Sequence, residues 1–159
     1  MKRFQDTNAL KEHLVLVTAA NHENLGSWTT AQIFYHLAAA FEASIDTTPL
    51  PAGFPATARL LIRPLRWVVT RIRFPPRLPI PAAIESKLKP PLNLGIMDQY
   101  WRLLRAIENF EQHTGEMPPH PVLGSLSRSE WTGFHLRHSE HHLSFIKLNE
   151  SSPGIETKR

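Results

Sequence analysis

Three histidines fall within five residues of the stretch Arg137-His138-Ser139-Glu140-His141-His142-Leu143. Histidine is the commonest metal ligand, and two residues four apart on a helix face one way, with Cβ atoms about 6 Å apart. His138 and His142 meet that condition. His141 lies about 100° around the helix from His142, so these two neighbours cannot both point at one ion. His138 with His141 and His135 with His138, each three apart, are the geometric rivals; the four-residue pair is the better choice. Far upstream, Trp28-Thr-Thr-Ala-Gln32-Ile-Phe-Tyr-His36-Leu37 offers a further imidazole, His36, among apolar neighbours. A charged imidazolium there is costly, whereas a neutral ring bound to a cation is not. The competing reading makes His36 a hydrogen-bonded core residue and His138 and His142 solvated ones. Three imidazoles would leave one coordination position for water or substrate, which is the open, catalytic type of site. Zinc suits such ligands best, with nickel, iron and manganese as alternatives.

Helices must position these rings, and the chain contains their signals. Asp6 can cap a first helix over about 7–21, with Leu10, Leu14, Val17 and Val15 as candidates for its apolar face. Asn21 to Ser27 reads as a polar turn. Thr29 with Gln32 forms a capping box, and Ile33, Phe34, Leu37, Ala38, Phe41 and Ile45 keep helical spacing to about Asp46. A third helix opens at Asp98 and ends near His113, closed by Gly115, with Tyr100, Trp101, Leu103, Leu104, Ile107 and Phe110 on its apolar side. Ser127 with Glu130 is a second capping box, and the helix behind it is expected to reach about Asn149. His120, between Pro119 and Pro121, reads as a turn residue that orients this last helix rather than as a fourth ligand.

The middle of the chain differs. Ten of the fourteen prolines fall between Pro49 and Pro91, so long regular elements are not expected there. Helical periodicity persists only from Thr57 to Phe74, interrupted by Pro64. The expected architecture is therefore all-α: a four-helix bundle with a long Pro-rich crossover between helices two and three. One domain should cover residues 1–150, followed by a flexible tail at 151–159.

Composition narrows the chemistry. The 159 residues are 42% hydrophobic and 20% charged, which suits one globular domain. There is no cysteine, so disulfides, thiolate zinc sites and a cysteine nucleophile are excluded. No run is long enough to span a membrane or to read as a signal peptide, and a cytoplasmic location is the default expectation. The net charge of +4 is uneven. Between 57 and 89, Arg59, Arg63, Arg66, Arg71, Arg73, Arg77, Lys87 and Lys89 face Glu85 alone. Few aromatics accompany them and no nucleic-acid motif is present, so a solvated basic face is favoured over nucleic-acid binding.

Two strings carry a resemblance. Trp28-x3-Gln32-x3-His36-Leu37 and His120-Pro121-x2-Gly124-x-Leu126-Ser127-x2-Glu130-Trp131-x6-His138-x2-His141-His142-Leu143 resemble the DinB-like superfamily of metal-dependent enzymes. The second string is similar to a branch known only as a domain of unknown function. The resemblance implies a bundle of up-down-down-up topology. It also implies a divalent metal held by one histidine of the second helix and two, four residues apart, of the last, which here are His36, His138 and His142. Characterised relatives include thiol-dependent S-transferases and an isomerase that uses low-molecular-weight thiols, so the activity the resemblance implies is a thiol-dependent transferase or a hydrolase on an unknown small molecule. A homodimer is compatible with that family. The arginine-rich segment from Arg59 to Arg77 departs from its usual pattern. Against the enzyme stands a non-catalytic helical stress or interaction protein in which a metal only staples helices.

Overall fold

The computed structural model describes residues 2–46, 70–72 and 89–149. Among these residues the protein has four helices and one two-stranded sheet: α1 (Thr7–Ala19), β1 (His22–Asn24), α2 (Thr30–Ala43), α3 (Ile96–Gln112), α4 (Arg128–Leu143) and β2 (Ile146–Leu148). Most of the expected crossover and the tail after 149 lie outside the described residues. Of the helical stretch expected at 57–74, only 70–72 are described, and they form turns.

One apolar core joins the helices. It takes Leu10, Leu14 and Val17 from α1, Ile33, Phe34, Leu37 and Phe41 from α2, and Leu103, Ile107 and Phe110 from α3. Trp131, Leu136 and Leu143 complete it from α4. In α1, α2 and α3 these positions recur mostly every three or four residues, which places them on one stripe of the helix, whereas in α4 they stand five and seven residues apart. The stripes are narrower than expected: Val15 and Trp101 are exposed. α2 packs along α3 more extensively than against any other element.

The helix starts follow local chemistry. Asp6 accepts from the Ala9 backbone N–H at 2.8 Å. Both expected capping boxes are present, Thr29 with Gln32 and Ser127 with Glu130. Each reciprocal pair satisfies two donors that a helix start otherwise leaves bare.

The helix ends differ from expectation. α3 begins at Ile96, placing Asp98 in its first turn, and it stops with His113 in an extended conformation rather than with a left-handed Gly115. Its last carbonyls are satisfied from outside. The Arg128 guanidinium, at the start of α4, donates to the carbonyl oxygens of Phe110, Glu111 and His113 at 2.6–2.7 Å. A cation at a helix C-terminus also meets the favourable end of the helix dipole.

α4 stops at Leu143 instead of near Asn149, and the chain turns into β2. β2 pairs antiparallel with β1, His22 facing Leu148 and Asn24 facing Ile146. Flanking bonds from Leu25 N–H to Phe145 O and from Asn149 N–H to Asn21 O, both 2.8 Å, extend this ribbon. The segment expected as a polar turn after α1 is thus a strand that ties the end of α1 to the end of α4. Thr30, the first residue of α2, fastens the ribbon: its hydroxyl donates to Asn24 Oδ1 at 2.9 Å and meets His22 Nε2 at 2.8 Å.

Candidate metal centre

α2 and α4 bring the three histidines together. On α2 the capping box fixes the first turn, and the Gln32 amide works twice. Its Oε1 accepts from Thr29 N–H at 2.9 Å, and its Nε2 donates to the Pro91 carbonyl at 3.1 Å, beside the entry to α3. His36 follows one turn later on the same helical face and is only 1% exposed. On α4, His138 and His142 stand one turn apart and project toward it.

The imidazole Nε2 atoms of His36 and His138 are 3.1 Å apart. Ring centroids are separated by 5.0 Å for His36–His138, 4.5 Å for His36–His142 and 4.7 Å for His138–His142. One nitrogen of each ring lies within 4.8 Å of the others, a grouping that could hold a metal ion. A tetrahedral zinc site with bonds near 2.0–2.1 Å has ligand–ligand edges of about 3.4 Å. The cluster is near that size and fits the group. Two facing nitrogens at 3.1 Å must have a proton or a cation between them, since two lone pairs repel.

Electrostatics keep the two α4 rings neutral. Burial pushes His142 down to about 2, with the nearby His36 and His141 rings adding to the shift. Burial also holds His138 well below the ordinary histidine range, followed by repulsion from His142, His36, His135 and His141. A neutral imidazole is the form that donates a lone pair to a cation.

Aromatic rings back the ligands on α4. Trp28 lies parallel to His142, centroids 5.6 Å apart and planes 9° apart, and tilts against His36 at 5.0 Å. Phe134 stacks on His138 at 5.4 Å. Their stacking partners come from ring positions that local spacing does not encode. The W-x3-Q-x3-H spacing was the available signal for Trp28.

The remaining histidines are placed elsewhere. His135 is buried among Phe41, Phe110 and Trp131 and donates from Nε2 to Ser44 Oγ at 3.0 Å, because the Ser44 hydroxyl proton is given to Phe41 O. Burial keeps it well below its ordinary pKa. His141 meets His142 and Phe145 edge-on. His120 closes a turn: its Nδ1 accepts the N–H groups of Val122 and Leu123 at 3.1 Å, and its backbone pairs with Gly124, whose φ is +73°. Its ring rests on Trp131 and Phe134, so it steadies the approach to α4 as expected.

The two acid-base residues between the α4 histidines face away from them. Arg137 and Glu140 form a buried ion pair at 2.8 Å. Together they grip the backbone of Phe4: Arg137 donates to its carbonyl and Glu140 accepts from its N–H, each at 2.6 Å. This clamp was not read from the sequence, because Phe4 is isolated from every periodic stretch.

The model of the family described as "Protein of unknown function (DUF1569)" matches residues 2–149. The chain belongs to the DUF1569 family. The match spans both histidine-bearing helices and the ribbon, so the whole described architecture lies within the DUF1569 domain. No curated protein and no solved structure matches the chain. The family description names no activity.

Proposed function

We propose that this DUF1569 protein is a metal-dependent enzyme of the DinB-like type, holding a divalent cation, zinc foremost, on His36, His138 and His142. The observation that carries the reading is the convergence of three imidazoles from two helices with their nitrogens within 4.8 Å of one another. The helix order and the single core support a DinB-like four-helix bundle, with the Pro-rich segment as crossover between α2 and α3.

The donor set suggests what such a site would take. Three neutral ligands leave a divalent cation's charge uncompensated, which favours an anionic fourth ligand. A cation held there lowers the pKa of a bound water or thiol and so supplies a nucleophile at neutral pH. The protein's own contribution is to hold the three rings in place, with those of α4 neutral, and to back the site with the aromatic faces of Trp28 and Phe134. Glu140 is committed to Arg137 and Phe4, and Glu42 accepts two hydrogen bonds from Arg102, so neither carboxylate serves as a base in this arrangement. A thiol-dependent transfer or a hydrolysis suits these features.

A second reading has its own support. α2 packs far less extensively against α4 than against α3, and the histidine cluster bridges that sparsely packed pair. A cation there could act as a staple without catalysis. The test begins with untagged protein, its metal content, and a zinc titration. The enzyme reading expects one ion per chain, loss of binding in His36→Ala, and turnover in thiol-transfer or hydrolysis assays that depends on the ion. Binding with a raised melting temperature and no activity would favour the staple, and no binding would remove both.

A further inference from the structure

We infer that Trp28 is a positioning residue of the three-histidine centre, whose indole fixes the ring of His142 and braces that of His36. The inference rests on the metal-site reading above and adds a residue that donates no ligand atom.

His142 is the ligand with the least support from its own helix. It stands one residue before the end of α4, where the chain leaves helical geometry for the turn at Ser144 and Phe145. His36, by contrast, is in the interior of α2 and almost wholly buried. A histidine in a last helical turn can reach several side-chain rotamers, and only some of them direct a nitrogen at its partners. The indole removes that freedom. It forms an offset parallel stack with His142, centroids 5.6 Å apart and planes 9° apart, so rotation of the imidazole out of this plane would bring its edge toward the indole. The same indole touches His36 at a 55° tilt, so one side chain sets the relative orientation of a ligand on α4 and a ligand on α2.

The backbone is built to hold the indole there. Trp28 immediately precedes Thr29, whose side chain accepts from Gln32 N–H while Gln32 Oε1 accepts from Thr29 N–H. That reciprocal pair fixes the direction in which the chain enters α2. Just before it, Gly26 lies against the Phe145 ring, where an added Cβ would come within 3.4 Å. Phe145 in turn meets His141. The loop carrying Trp28 is therefore seated on the end of α4 from which His142 projects. A residue filling space alone would be satisfied by any apolar group; the parallel stack and the contact with two ligand rings require a flat π face. Side chains that orient a metal's ligands without binding it commonly change metal affinity by 10–100-fold.

The experiment uses the full chain and Co²⁺ as probe, because its visible absorption reports ligand geometry while a titration reports affinity. Trp28→Ala should weaken Co²⁺ binding about tenfold or more and alter the absorption band. Trp28→Phe should restore most of the affinity and the wild-type band, since it keeps a stacking face. Trp28→Leu keeps apolar bulk without the π face, and should resemble Trp28→Ala in spectrum even where it rescues folding. Wild-type affinity and spectrum in both Trp28→Ala and Trp28→Leu, with only a lower melting temperature, would overturn the inference and leave the metal site standing. A wild-type protein that binds neither Co²⁺ nor Zn²⁺ would overturn the metal-site reading and this inference with it.

Discussion

Substituting Glu140 by alanine probes how the N-terminal segment is fastened to the helix that carries two of the candidate ligands. Glu140 is 2% exposed and Arg137 5% exposed, and between them they hold both backbone polar groups of Phe4. In Glu140→Ala the guanidinium keeps its bond to the Phe4 carbonyl but loses the Glu140 carboxylate 2.8 Å away in a low-dielectric setting. Removing one partner of a buried pair typically costs about 3–5 kcal/mol. The Phe4 N–H also loses its acceptor, which costs about 1–3 kcal/mol if it stays buried. Undocking of residues 2–5 into water would relieve most of that second cost, so the total should be about 3–5 kcal/mol. For a chain of this size that corresponds to a fall in melting temperature on the order of 10 °C. The assay is equilibrium unfolding in urea, followed by helical circular dichroism, for Glu140→Ala, Arg137→Met and the double variant Arg137→Met/Glu140→Ala. The double variant removes both charges and should be less destabilised than the sum of the singles by about 2 kcal/mol or more. A loss below about 1 kcal/mol in Glu140→Ala, or strict additivity in the double variant, would refute the buried clamp.

Two further outcomes follow from local geometry. Gly133→Ala should destabilise by about 1–2 kcal/mol, because an added Cβ would lie 2.6 Å from the Thr70 carbonyl oxygen; with no such contact, alanine in a helix interior would instead stabilise by about 1 kcal/mol, so the sign of the change in urea midpoint decides whether Thr70 packs on α4. His120 has its pKa lowered to about 4 by burial, so the folded state resists a proton that the unfolded chain accepts near 6.5. Its contribution is fully present above about pH 6.5 and is lost as the pH falls through about 4, amounting to no more than about 3 kcal/mol. His120→Asn keeps an acceptor for the Val122 and Leu123 N–H groups and removes the titration. The variant should therefore lose less stability than wild type between pH 7 and 4, and parallel pH profiles would contradict this assignment.

Local chemistry made much of the fold legible in the sequence. The Asp6 cap and the capping boxes at Thr29 and Ser127 are contiguous motifs, and each marks a helix start in the structure. The apolar spacing of α2 and α3 located most of the core. The convergence of His36 with His138 and His142 was legible in part: four-residue spacing favours the latter two over their rivals, while their grouping with His36 is what the resemblance to the DinB-like superfamily implies. What escaped depends on partners distant in the chain. Strands of three residues are too short to show alternation, so β1 and β2 are defined only by each other. The end of α3 is capped by Arg128 from the next helix, which made Gly115 a misleading stop signal. Phe4 is buried because Arg137 and Glu140 hold its backbone, and nothing near it in sequence announces that.

The central claim, a divalent cation shared by His36, His138 and His142, is tested most directly by anomalous diffraction at the zinc edge from crystals grown with one equivalent of zinc. The account predicts one strong peak per chain between α2 and α4, about 2.0–2.1 Å from a nitrogen of each of the three rings. A peak that involves His141 or His120 in place of any of them, or no peak between the two helices, would contradict it.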